Sequence, residues 1–123
     1  LMKMKTIRVG IMPMEQYKKR TMNIAKGLYK PKKDEPKVWF ESVKSMAQIL
    51  SNENQDLLQV ILDNHPKSLK ELEELTGRAK SNLSRTLKTL ERYGIVELHK
   101  EKNSLVPEVK ATQFKVEFGF EAA

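Results

Sequence analysis

Cysteine is absent from the sequence, which removes disulfides, thiolate nucleophiles and zinc-thiolate sites together and suits a protein of the reducing cytoplasm. Histidine is nearly as scarce. His65 and His99 have no second histidine at i+3 or i+4 to present a metal pair on one helical face, so no metal site is expected. His65 sits in the helix-stop sequence Asn64-His65-Pro66 and His99 in an extended stretch, where capping and surface roles account for them. The five glycines are widely dispersed, which excludes a glycine-rich phosphate cradle. Apolar runs extend over only a few residues, so no transmembrane helix is expected, and the lysine-rich start lacks the apolar stretch and cleavage site of a secretory signal. Carboxylates occur mixed with lysines, as on solvated helix faces. An enzyme, a cofactor and a membrane partner are all unexpected on this inventory.

Positive charge is what the chain has in excess. Lys and Arg number 23 against 16 Asp and Glu, a formal +7 over 123 residues. Residues 1–37 hold eleven basic and three acidic side chains (+8), residues 38–64 one and four (−3), residues 65–94 seven and four (+3), and residues 95–123 four and five (−1). This distribution and the proline-rich stretch Tyr29–Pro36 suggest three segments: a basic N-terminal arm at 1–37, a main domain at 38–112 and a C-terminal strand and tail at 113–123.

Hydrophobic periodicity supplies the elements. Ile7, Val9 and Ile11 alternate as in a short strand, and Met12-Pro13 ends the pattern. From Met14 to about Leu28, the residues Met14, Tyr17, Thr21, Ile24, Ala25 and Leu28 share one helical face. Val43, Met46, Ala47 and Leu50 mark a helix with Ser42 as its cap, and Leu57, Leu58, Val60, Ile61 and Leu62 mark a buried helix over about 52–64. Ser68-Leu-Lys-Glu71 has the spacing of a capping box and opens a short helix that Thr76-Gly77 closes. A longer helix follows, from about Ala79 to Tyr93, with Leu83, Leu87 and Leu90 on one stripe and Gly94 as its stop. The segments 95–100 and 105–112 form a hairpin around Glu101–Ser104. Phe114, Val116, Phe118 and Phe120 alternate with polar residues and glycine in a last strand, for which the Ile7/Val9/Ile11 strand is the obvious partner. Trp39 and Phe40 are expected in the core.

At 100° per residue, Ser81, Arg85, Lys88 and Arg92 lie opposite the leucine stripe, and Arg78, Lys80, Asn82 and Ser84 crowd the helix start. Residues 78–92 carry five basic side chains and one acid. Arginine and lysine reach phosphates and guanine edges, asparagine pairs with adenine, and serine serves either contact, so double-stranded DNA explains this face economically.

The stretch from Ser68 to Lys100 resembles the winged helix-turn-helix of MarR-like and ArsR-like bacterial and archaeal transcription regulators, with Leu75-Thr76-Gly77 in place of the turn and Lys80–Arg85 in place of the recognition-helix start. The resemblance covers about residues 42–112. It implies a mainly α fold with a β-hairpin wing (α+β), to which the periodicity adds short N- and C-terminal strands and an N-terminal helical arm. It places Lys80, Ser81, Asn82, Ser84 and Arg85 at the major groove and Lys100, Lys102 and Asn103 at the wing, with Arg78 and Lys88 as further DNA contacts. Ala79 stands where the family has a serine-type cap, the wing carries Glu97 and Glu101, and the long C-terminal dimerisation helices are missing. Dimerisation therefore falls to Tyr17, Ile24, Leu28 and Phe118.

The expected function is a sequence-specific, homodimeric DNA-binding regulator on a palindromic operator. The alternatives are an antitoxin that clasps a cognate toxin and autoregulates its operon, and an interaction module of the same fold that leaves DNA alone. RNA binding would need exposed aromatics on a sheet, whereas the alternation of Phe114, Phe118 and Phe120 predicts a buried face. No sensor pocket is legible.

Overall fold

The computed structural model describes residues 5–120. The chain divides into two compact units, one comprising residues 49–112 with the start of the chain up to Lys5, the other Thr6–Gln48 with the stretch from Gln113 onward.

The first unit is built of α3 (Asn52–Asn64), α4 (Leu69–Thr76), α5 (Lys80–Arg92) and the hairpin β3 (Val96–Glu101) and β4 (Ser104–Val109). Ser51 starts α3, its Oγ accepting from the Asn54 N–H at 3.2 Å. His65 closes the helix in the left-handed region (φ 47), returning its N–H to the Ile61 carbonyl, and Pro66 prevents continuation. Ser68 Oγ accepts from the Glu71 N–H at 3.0 Å, but the Glu71 carboxylate accepts from the Lys67 N–H, one residue before the capping-box partner. Gly77 ends α4 at φ 72. Ala79 offers α5 no side-chain acceptor, and Glu73 of α4 fills the role, accepting the Lys80 N–H at 3.1 Å. Leu83, Leu87 and Leu90 are fully buried, each contributing about 1.5–3 kcal/mol by leaving water. They pack in a core with Leu57, Ile61 and Leu72. Gly94 (φ 74) and Ile95 return their N–H groups to Glu91 and Leu90, turning the chain into β3. The hairpin is antiparallel, Glu101 opposite Ser104, with a two-residue turn at Lys102-Asn103.

The second unit carries β1 (Lys5–Ile11), α1 (Met14–Ala25), β2 (Val38–Phe40), most of α2 (Val43–Ile49) and most of β5 (Ala111–Glu117). The strands form one sheet in the order β2-β1-β5. β1 pairs with β2 in parallel, Val9 opposite Val38 and Ile11 opposite Phe40, and the contacts Thr6–Gln113 and Arg8–Glu117 advance in the same sense along β5. Parallel strands need a crossover, which α1 and the segment after it supply. Gly10 is required here, because a Cβ on it would meet the Trp39 ring at 2.3 Å. Val9 and Phe40 are buried, while Trp39 is half-buried. The Arg20 guanidinium lies 5.1 Å from the Trp39 ring and 5.7 Å from the Tyr29 ring and pairs with Glu35 at 3.0 Å. Tyr29 donates its hydroxyl to the same carboxylate.

The architecture corrects the expected class. Five strands are divided between a three-stranded sheet and a two-stranded antiparallel one, so the molecule is an α+β protein rather than a mainly α winged helix-turn-helix with an arm and terminal strands attached. The N-terminal strand is the centre of a sheet, and the stretch 29–36 is folded onto α1 through Tyr29 and Glu35. The C-terminal strand ends at Glu117, so Phe118 and Phe120 lie beyond it and are exposed rather than on a buried face. The helix expected to reach Leu28 stops at Ala25, after which the Leu28 and Tyr29 N–H groups fold back onto the Asn23 carbonyl.

Candidate nucleic-acid interface

Burial of the leucine stripe determines what α5 presents outward. Lys80, Ser81, Arg85, Lys88 and Arg92 are exposed, and Ser84 is half-buried. Among the described residues, none of Lys80, Arg85, Lys88 and Arg92 is in an ion pair, and the Arg92 guanidinium donates only to Thr89 Oγ1 at 3.4 Å. The nearby acids are committed to the backbone: Glu91 accepts the Leu98 N–H at 3.0 Å and so fastens the hairpin to the helix, and Glu73 accepts that of Lys80. The positive charge of this face is therefore uncompensated by its neighbours.

Two of the residues expected there have a different job. Arg78 donates from Nε to Asn82 Oδ1 at 2.9 Å and from Nη2 to Thr86 Oγ1 at 3.5 Å, so Arg78, Asn82 and Thr86 form a ridge along the flank of α5, all three half-buried. The remaining nitrogen, Nη1, is out of solvent and has no acceptor among the described residues. That flank borders a cavity of about 610 Å³ lined by Glu53, Asp56, Leu57 and Val60 of α3, Leu75 and Thr76 of α4, and Arg78, Ala79 and Asn82. Periodicity in the sequence gives no sign of it.

On the hairpin, Lys100, Lys102 and Asn103 are exposed, with Lys102 at the turn in the left-handed region (φ 55). Glu97 and Glu108 stand directly opposite each other, a like-charge pair that destabilises a ladder unless compensated. His99 Nε2 lies 2.6 Å from Glu108 and Nδ1 3.7 Å from Glu97, while Lys110 Nζ reaches both carboxylates at 3.4 and 3.6 Å. The hydrogen bond from His99, aided by the charge of Lys110, holds the Glu108 carboxyl below its ordinary pKa. Glu97, His99 and Glu108 bring three donor atoms within 4.8 Å of one another, a set able to approach a divalent cation, but the Lys110 ammonium already bridges the two carboxylates. His99 thus belongs to a charge cluster that the sequence reading did not foresee.

The residues expected to dimerise sit in the second unit. Helix α1 contains no buried residue, Tyr17 is exposed, Ile24 is half-buried, Leu28 is 74% exposed and Phe118 63%. Their helical face is apolar and open. Lys18 and Lys19 are exposed, whereas Arg20 is taken up between the two aromatic rings. No helix among the described residues is long and apolar enough to cross a membrane.

A family model described as HVO_A0114 matches residues 49–116, just over half of the chain. No curated protein and no solved structure matches it.

Proposed function

The chain belongs to the HVO_A0114 family, and we propose that the stretch carrying this match makes it a sequence-specific DNA-binding transcriptional regulator of the cytoplasm, working by occupancy rather than by catalysis. The outer face of α5 carries the reading: Lys80, Ser81, Arg85, Lys88 and Arg92 are exposed, opposite a fully buried leucine stripe, and the local acids are engaged elsewhere. Lys80, Lys88 and Arg92 neutralise phosphates and set the register, while Arg85 with Ser81 and Ser84 reads base edges. Lys100, Lys102 and Asn103 add contacts to the adjacent backbone or minor groove. Arg78 and Asn82 hold each other at the helix start and support the reading surface from behind.

A second copy of the chain is the partner we assign to the apolar face of α1 and to Phe118, giving a homodimer that presents two α5 helices to a palindromic operator. The exposure of that face also favours a second reading, in which it clasps a toxin and the protein is an autoregulating antitoxin.

The test is fluorescence anisotropy with the DNA upstream of the protein's own gene, against a scrambled duplex, at two salt concentrations. Regulation predicts tight binding with a large preference for the upstream fragment. Weak, equal binding to both duplexes that vanishes with salt would reduce the interaction to the net charge of +7 and overturn the proposal.

A further inference from the structure

The cavity between α3 and the α4–α5 connection poses an electrostatic question. Arg78 lines it beside Glu53 and Asp56, yet neither carboxylate pairs with the guanidinium, and among the described residues neither is in an ion pair at all. Glu53 and Asp56 are three residues apart on α3, so their carboxylates share one side of the cavity. Arg78 brings Nη1 to the site without an acceptor and out of reach of solvent, its other donors already committed to Asn82 and Thr86. Between the charges stand the apolar side chains of Leu57, Val60 and Leu75, the last of them 44% exposed.

An anion alone would meet the two carboxylates, and a cation alone would leave the buried guanidinium nitrogen unsatisfied, which is costly. A DNA phosphate lies in solvent, where this nitrogen does not reach. A ligand with both charges and a short apolar body satisfies every wall. We infer that this cavity binds a free zwitterion of the aliphatic α-amino acid class, its carboxylate accepting from Arg78, its ammonium donating to Glu53 and Asp56, and its side chain against Leu57, Val60 and Leu75. The volume of about 610 Å³ is in the range of small-molecule sites. Arg78 is bonded to Asn82 at the start of α5, so a bound carboxylate neutralises a cation beside the reading face. That consequence, weaker DNA binding with ligand present, rests on the proposed function; the binding itself does not.

The experiment therefore uses the full chain without DNA. Backbone amide NMR spectra are recorded on titration with L-leucine, with 4-methylpentanoate, which lacks the ammonium, and with 3-methylbutylamine, which lacks the carboxylate. Leucine should give saturable shifts around Leu57, Val60, Leu75 and Ala79. Each one-charge analogue should bind about tenfold more weakly or worse, because each loses a charge-assisted hydrogen bond. Arg78→Gln should abolish the advantage of leucine over the amine, and Asp56→Asn should reduce its advantage over the acid, with dispersed spectra showing that both variants fold. The absence of saturable shifts with leucine up to about 10 mM, or equal binding of all three compounds, would overturn the inference.

Discussion

Three arginines of equal formal charge meet three different fates. Arg20 is held between Trp39 and Tyr29 and paired with Glu35, so it is part of the packing of its unit. Arg78 is fixed along the flank of α5 by Asn82 and Thr86. Arg85 alone of the three is exposed on the face opposite the leucine stripe with no ion pair among the described residues. Arg85→Ala should therefore leave folding unchanged and weaken binding to the operator by about 1–3 kcal/mol while relaxing base preference at one position. An anisotropy titration against matched and single-mismatch duplexes measures both, and unchanged affinity would remove Arg85 from the reading face. The helical wheel separates Arg85 from the leucines correctly because that distinction is a matter of angle along one helix. It does not distinguish Arg20 from Lys18 and Lys19, or Arg78 from Lys80, because those fates depend on side chains brought in from other elements.

At the scale of elements, the sequence is most legible where a local chemical rule applies. Ser51 and Ser68 cap helices as their hydroxyls allow, and Gly77 and Gly94 sit at helix ends in the left-handed region, where a Cβ would be strained. Where the rule needs a distant partner it is silent: the cap of α5 comes from Glu73 on the preceding helix, and the compensation of the Glu97–Glu108 pair from His99 and Lys110. That charge cluster makes the hairpin sensitive to acid. Glu108 has a folded-state pKa below its unfolded value, so its contribution is complete above the ordinary glutamate pKa and is lost as the pH falls through the lowered one. His99→Gln removes the main cause of the lowering. A carboxyl-carbon NMR titration should then show the Glu108 midpoint moving up toward the ordinary glutamate value, and an unmoved midpoint would assign the shift to Lys110 instead.

For the whole molecule, connectivity between remote segments is what the sequence conceals. The alternation of Ile7, Val9 and Ile11 identifies a strand, and pairing it with the C-terminal strand is a sound expectation, but nothing local reveals that Val38–Phe40 joins on its other side. The sheet is why the N-terminal residues cannot be treated as a detachable arm: removing residues 1–37 would take out its central strand, so the loss of a dimer in such a truncation would say nothing about the interface. A surface substitution asks the question cleanly. Leu28 follows α1 at 74% exposure and Tyr17 lies on the same apolar side, so neither supports the fold of its own subunit to any large extent. Exposed apolar residues grouped in this way mark contact surfaces more often than isolated ones do. Tyr17→Glu with Leu28→Glu should leave the thermal midpoint of a dilute, monomeric sample nearly unchanged and shift the mass measured by light scattering from dimer to monomer. Binding to a full palindrome should then fall toward that of a half-site, since the effective concentration that links the two α5 faces is lost. A dimer that survives both substitutions would move the interface off α1, and a wild-type chain that is monomeric at every concentration would leave this face to a different protein.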